Sequence, residues 1–347
     1  MSGVLRVEAA GFGVTVQDRG RFGYRRTGVT ASGPLDADLA RCAVELAGGP
    51  AEAAFLEIRL LGPTLRVEGG PLRLALTGRI GAEVRRRDGT VEPFPGFATR
   101  TVDDGDRVVL RHAEAGPAHL AVEGGIDVTP VLGSRATLAR ARLGGLDGRA
   151  LEVGDALRCP GRPNHLDEDR VAPEWRFGDG PIRVIAGPQD DHFTATARAR
   201  FTTTEWRATT DLDRMGLRLD GPPLDHLSPE AADIVSDGVV AGAIQVPGDG
   251  RPIVLFADCQ TVGGYPKIAT VISADLPRLA RIRPGETVRF AYVDAIAAAA
   301  AAAARETAHR RWRAAITRRP PAGRIDLAAL LAENLIGGVA DAFEPPA

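Results

Sequence analysis

Apolar positions along this chain alternate with polar ones or gather in runs of a few residues, and glycine-containing turns separate them. "LRVEA" (5–9), "GVTVQD" (13–18), "TLRVEGG" (64–70), "LRLALTG" (72–78) and "DRVVLRH" (106–112) all follow this pattern. Alternation with a period of two, bounded by Gly, predicts half-buried strands. A second strand-rich block opens at "GPIRVIAGPQ" (180–189). One helix interrupts the first block, over about Leu35 to Leu46. Pro34 stands near its start, two Asp residues fall in its first turn, and Gly48–Gly49 lie just past its end. The polar, Pro- and Gly-rich stretch 159–179 reads as a linker. It divides an N-terminal β-barrel domain (1–179) from a C-terminal barrel-like domain (180–293).

The pattern changes after Asp294. The alanine-rich stretch that follows favours a helix, and a second amphipathic helix is expected after Pro320–Pro321, so 294–347 forms a helical tail. These helices either pack on their own barrel, the reading favoured here, or mediate contacts between subunits. A short element also recurs. "DDGDRVVL" (103–110), "LEVGDALRC" (151–159) and "RPGETVRF" (283–290) each place Gly, then an acid, then a strand. This suggests a duplicated barrel-like unit, or simply that the same pair of residues makes good turns.

Composition narrows the function. A net charge of -2 gives no pull toward nucleic acid or an anionic membrane. The three cysteines, Cys42, Cys159 and Cys259, lack the spacing of a metal knuckle or redox pair, as expected in a reducing cytoplasm. The N-terminus does not read as a signal peptide, and the run Ala297–Ala304 is too short to span a bilayer. No P-loop, nucleophile elbow or local zinc spacing occurs, so no metal site is expected.

The stretch that carries chemistry is "GAIQVPGDGRPIVLFADCQTVGGYPKIATV" (242–271). The chain holds 43 Lys plus Arg, and Lys267 is the only lysine. Lysine is a compact charge that can shed a proton when desolvated, whereas arginine cannot. An apolar strand ends here. Asp258 and Gln260 share one face if the chain stays extended, Gln245 opposes two apolar neighbours, and Gly263–Gly264 permits a close approach. Tyr265 and Lys267 then flank Pro266. This set suits a carboxylate or amide substrate and a developing oxyanion. Lys267, Tyr265 and Gln260 are the candidate donors, and Asp258 is expected to orient Lys267 or take a proton. Gln245, Thr261, Gly263 and Gly264 are expected to line the site. A second rich stretch, 15–36, carries Gln17, Asp18, Arg19 and Arg21, with Arg25 and Arg26 close behind. It is either a grip for a carboxylate or phosphate, or a basic loop paired with nearby acids. Arg214 in "LDRMGLRLDGP" is likewise a weaker anion-binding candidate or half of a structural ion pair at a turn.

"TVQDRGRFGYRRTGV", "SGPLD", "VEGGIDV", "LGSRAT", "GPQ", "DRMG", "GAIQVPGDGRPIVL" and "ADCQTVGGYPKIATV" occur in this order. Together they resemble the family of allophanate hydrolase subunit 2, also called the biotin-dependent carboxyltransferase family, to which the C subunits of 5-oxoprolinases belong. The likeness runs from about residue 4 to residue 293. The resemblance implies cyclophilin-like β-barrels; with the tail 294–347, which lies outside the likeness, the expectation is a mainly β chain of two such barrels with a helical tail. It implies a partner similar to allophanate hydrolase subunit 1 (the 5-oxoprolinase B subunit) and a third 5-oxoprolinase subunit, which together open 5-oxo-L-proline to L-glutamate with ATP as co-substrate. In urea carboxylase a similar region belongs to the carboxyltransferase unit, and one family member regulates a sporulation kinase together with its partner. The sequence departs from the family pattern at Pro34 and Leu35, at Cys259 where Arg is usual, and at Val262 where Thr is usual. No biotin-attachment motif is present. The resemblance locates no ATP site in this chain.

Overall fold

A computed structural model describes residues 3–161 and 168–319. The second expected tail helix lies outside the described residues. The fold is mainly β, as the alternation predicts. Two antiparallel sheets form the first half. One has six strands in the order 156–159, 3–9, 64–68, 107–113, 80–85, 91–93. The other has seven in the order 15–17, 55–58, 118–122, 72–77, 98–102, 169–171, 317–319. Their inward positions share one core. Leu5, Val67, Val84 and Val108 come from the first sheet, and Leu56, Leu74, Leu76 and Leu120 from the second; each is fully buried.

A separate core fills the second half. It is built on an eight-stranded sheet in the order 287–288, 206–212, 216–220, 253–255, 243–245, 267–271, 182–186, 290–292. All its pairings are antiparallel except 182–186 with 290–292. A two-stranded ribbon, 237–238 with 262–263, stands apart from this sheet.

The expected early helix spans Ala37–Ala47. Asp36 caps its start, its side chain accepting from the Leu39 amide at 3.0 Å, and Gly48 ends it in the left-handed region at φ 81°. The tail helix spans Ala295–Ala314, with Asp294 as its cap. It packs on the chain itself, but against the early helix of the first half. Arg41 bonds Glu306, Asp38 bonds both Arg305 and His309, and Trp312 is buried beside Trp175 and Phe97. Part of the expected linker also joins this half. Residues 169–171 form a strand of the seven-stranded sheet, where they pair with 317–319, and Trp175 is buried.

The recurring Gly-acid element is one physical device used three times. In each copy the acid's amide bonds the carbonyl three residues back, as Asp106 does to Asp103, Asp155 to Glu152 and Glu286 to Arg283. The acid's carboxylate then accepts from that same residue's amide, at 3.0, 2.8 and 2.9 Å. Gly105, Gly154 and Gly285 all sit at φ between 87° and 96°, which explains why glycine precedes the acid.

Candidate functional site

Lys267 opens the strand Lys267–Val271 and pairs in register with Gln245. Its side chain is 3% exposed. The ammonium Nζ donates to Asp237 Oδ2 at 2.9 Å, the one acceptor it has among the described residues. An ammonium carries three hydrogens, so two lack an acceptor among the described residues in a buried position. Asp237 lies on the ribbon with its side chain 52% exposed, and the hydrogen bond from Lys267 holds its carboxyl below the usual carboxylate range. Gln189 ties the pair together: its Nε2 donates to Asp237 Oδ2 at 3.2 Å, and its Oε1 accepts from the Lys267 amide at 3.3 Å.

Two carboxamides stand beside the ribbon. Gln260 Nε2 donates to Gln245 Oε1 at 3.2 Å, and Gln245 Nε2 donates to the Tyr265 carbonyl at 3.4 Å. Gly263 makes this approach possible, because a Cβ there would come within 2.6 Å of Gln245 Nε2. Gly264 has more room; its nearest neighbour to such a Cβ is the Ile234 carbonyl at 3.6 Å. The Tyr265 ring is near the surface, at 43% exposure. Val235, Val240 and Val262 are exposed on the same ribbon and its flanks, so the site has an apolar rim. Thr261 is half-buried, and its carbonyl accepts from the Val239 amide at 3.1 Å.

Asp258 does not orient Lys267. The strand ends at Leu255 and the chain turns at Ala257–Asp258, so the alternation that would place Asp258 beside Lys267 stops before reaching it. Asp258 instead takes Arg214 in a two-pronged pair, Nε to Oδ2 at 2.8 Å and Nη2 to Oδ1 at 2.9 Å. Arg214 also bonds Glu57, and donates to the Gly33 carbonyl at 2.7 Å. It is therefore a clamp between the two halves of the molecule, with a protein partner on each of its three nitrogens. Burial alone would push Glu57 up, but the charges of Arg214 and His119 outweigh it and bring the carboxyl down to about 2. Asp36 shows the opposite balance: burial dominates over the nearby His119 and lifts its carboxyl to about 6.

The 15–36 loop is likewise occupied with its own support. Gln17 Nε2 bonds Thr15 and the Thr137 carbonyl, Asp18 accepts from Ser134 and the Arg135 amide, and Arg21 reaches the Val131 and Ala136 carbonyls. All three side chains are buried, and among the described residues Gln17 Oε1 and Arg21 Nη1 have no hydrogen-bond partner. Arg19 is exposed, at 3.9 Å from the exposed Glu52. The loop meets the Lys267 neighbourhood through Arg25 instead, a residue that nothing in the sequence ties to that site. Arg25 bonds the Val239 carbonyl and the Gln260 carbonyl, the latter at 3.2 Å, and lies 4.0 Å from Cys259 Sγ. Asp237 and Gln189 were missed altogether. Only a Gly after the acid marks Asp237, and "GPQ" alone marks Gln189. Among the described residues no group of three or more His, Cys, Asp or Glu could hold a metal ion, and no helix is long and apolar enough to cross a membrane.

Comparison with known proteins agrees with this architecture. The chain is 37% identical over 288 residues to the 5-oxoprolinase C subunit of Escherichia coli (strain K12), covering 83% of this chain and 90% of that protein. It is 34% identical over 277 residues to the 5-oxoprolinase C subunit of Haemophilus influenzae, covering 80% and 87%. Its fold matches the Kluyveromyces lactis urea carboxylase with a TM-score of 0.78 at 26% identity, covering 89% of this chain but 29% of that one. Residues 27–292 match the carboxyltransferase domain, subdomains A and B, and the chain belongs to that family.

Proposed function

We propose that this chain is the C subunit of an ATP-dependent 5-oxoprolinase. It works with a B subunit similar to allophanate hydrolase subunit 1, and with a third subunit, to open 5-oxo-L-proline to L-glutamate in the cytoplasm. The observation that carries the reading is the buried Lys267 ammonium, which among the described residues has a single, half-exposed acceptor. Two relatives named as 5-oxoprolinase C subunits, aligned over most of both chains, support it.

In this reading the lactam carbonyl takes the ammonium hydrogens that have no acceptor. Negative charge that builds on the carbonyl oxygen is stabilised once the partner shields the site from water, where fixed donors are worth most. Gln260 and Gln245 hold each other's carboxamides in place, so they need no reorganisation when charge develops. Tyr265, at the rim, offers a phenol to the substrate's outer end. Asp237 competes with the substrate for Nζ and keeps the ammonium oriented while the site is empty. The partner protein closes the site over the apolar ribbon around Lys267. ATP is a co-substrate of the complex, and no step by residues of this chain is assigned to it.

The test is a coupled assay with the complex assembled from all three subunits. 5-oxo-L-proline plus ATP should yield glutamate. Carboxylation of urea from carboxybiotin, with no glutamate formed, would select a urea carboxylase component instead, a reading favoured by the fold likeness to urea carboxylase. Tight binding to the partner with neither reaction would select a regulatory partner.

A further inference from the structure

The tail helix Ala295–Ala314 lies beyond the family-matched residues 27–292. It forms one wall of a cleft of about 860 Å3, whose other walls are the Ala37–Ala47 helix and the loop carrying Arg19 and Ser32. Lys267 does not line this cleft.

Among the described residues three buried polar atoms on residues lining the cleft have no hydrogen-bond partner: His309 Nδ1, Ser32 Oγ and Glu45 Oε2, the last on a carboxylate whose Oε1 accepts from Arg41 Nε at 2.9 Å. His309 is 3% exposed and Ser32 is 8% exposed. The His309 ring is held on both sides. Its Nε2 lies 2.6 Å from Asp38 Oδ1, and its face stacks on Trp175 at 4.1 Å between centroids. Asp38 also accepts from Arg305 Nε at 2.6 Å. An ionised carboxylate only accepts, so His309 Nε2 carries the hydrogen of that bond. In the neutral ring, Nδ1 is then left as an acceptor. Arg313, in the helix's last turn, is exposed and has no ion-pair partner among the described residues, while Arg19 on the facing rim is only loosely paired with Glu52. Val44 and Phe55 supply buried apolar wall.

The geometry points to a second binding site here, for a small organic acid that carries a hydroxyl or amide N–H beside its carboxylate. The O–H or N–H donates to His309 Nδ1, Ser32 Oγ completes the polar floor, and the carboxylate meets the guanidiniums of Arg313 and Arg19. A held imidazole, a free acceptor nitrogen and a cation at the mouth are what a site for such an acid requires. The site stands independently of the Lys267 reading, because it shares no residue with it and is tested by binding alone.

L-lactate and propionate are matched probes that differ by one hydroxyl. Full-length protein is titrated with each by calorimetry, and the His309 ring nitrogens are followed by NMR. The site predicts saturable binding of L-lactate, about tenfold tighter than propionate, as one net hydrogen bond provides. Arg313→Gln should weaken both probes, and His309→Gln should erase the preference. If His309→Gln does not fold, the wild-type protein still decides: lactate must shift Nδ1, and propionate must leave it in place. Equal binding of the two probes, an unmoved Nδ1, or no saturation by either overturns the proposal.

Discussion

Arg214 and Lys267 are both cations in the second half of the molecule, both mostly buried, and both meet aspartate. Arg214 directs its guanidinium nitrogens at Asp258, Glu57 and the Gly33 carbonyl, bridging the two halves. Lys267 has one hydrogen bond from its ammonium, to a carboxylate that is half in water. Four of the five N–H groups of Arg214 are taken, and every nitrogen has a partner, so it is finished as a structural element. A buried cation with most of its donors to spare is stable only if something else brings the acceptors. The difference between the two is saturation rather than burial, and it separates a clamp from a candidate site.

The largest expected effect lies on the saturated side. Arg214→Met removes the guanidinium that Glu57 and Asp258 share and leaves the fully buried Glu57 with His119, at 3.5 Å, as its only ion-pair partner among the described residues. Removing one partner of a buried pair costs about 3–5 kcal/mol. Denaturant unfolding should show that loss, and a change under about 1 kcal/mol would end the clamp interpretation. The mirror experiment is Lys267→Met. It should lower turnover of the assembled complex by about 10²–10³, the ~2.7–4 kcal/mol that one oxyanion donor supplies, with a much smaller change in unfolding. Lys267→Arg sharpens the comparison. If turnover survives it, charge alone was needed at this position, and the shape of the ammonium plays no part.

A pH series probes the saturated side without mutation. Glu57, held down to about 2, contributes stability that is complete above its ordinary value near 4.5 and is lost as pH falls from there toward 2. Asp36, lifted to about 6, works with the opposite sign. Its contribution is complete below its ordinary value near 3.8 and is lost as pH rises through 6. Stability should therefore rise as pH falls from above 6 toward about 4.5, then drop. In Asp36→Asn the rise should vanish and the drop remain, as read by unfolding midpoints across the series.

The same contrast explains what the sequence could reveal. The strands, the early helix with its Asp36 cap, and the grouping of Lys267, Gln245, Gln260 and Gly263 were legible because each depends on neighbours within one short stretch of chain or one helical turn. Asp258 was misplaced because alternation was carried past Leu255, where the chain turns. Gln17, Asp18, Arg21 and Arg214 looked like ligand groups because side-chain type does not show which atoms are engaged internally; among the described residues Gln17 Oε1 and Arg21 Nη1 alone of their buried polar atoms lack a partner. The partners of the engaged atoms lie far off along the chain: Thr137, Ser134, Val131 and Glu57. Asp237 and Gln189 were missed, and Arg25 was left unconnected to Lys267, for the converse reason. Each reaches that neighbourhood only through the folded sheet.

Asp237→Asn is the smallest effect expected and the most direct probe of the unsaturated side. Asp237 is half in water, so its hold on the ammonium is worth no more than a surface pair, about 0.2–1 kcal/mol. If the substrate displaces it, a neutral amide is a weaker competitor, and KM for the cyclic amide should fall about two- to fivefold while kcat moves less. If Asp237 instead acts on the substrate in the transition state, kcat falls and KM does not. The two outcomes have opposite signatures in the same assay. The first leaves Lys267 as a donor awaiting an acceptor. The second makes the Lys267–Asp237 pair a single unit and removes the distinction from Arg214.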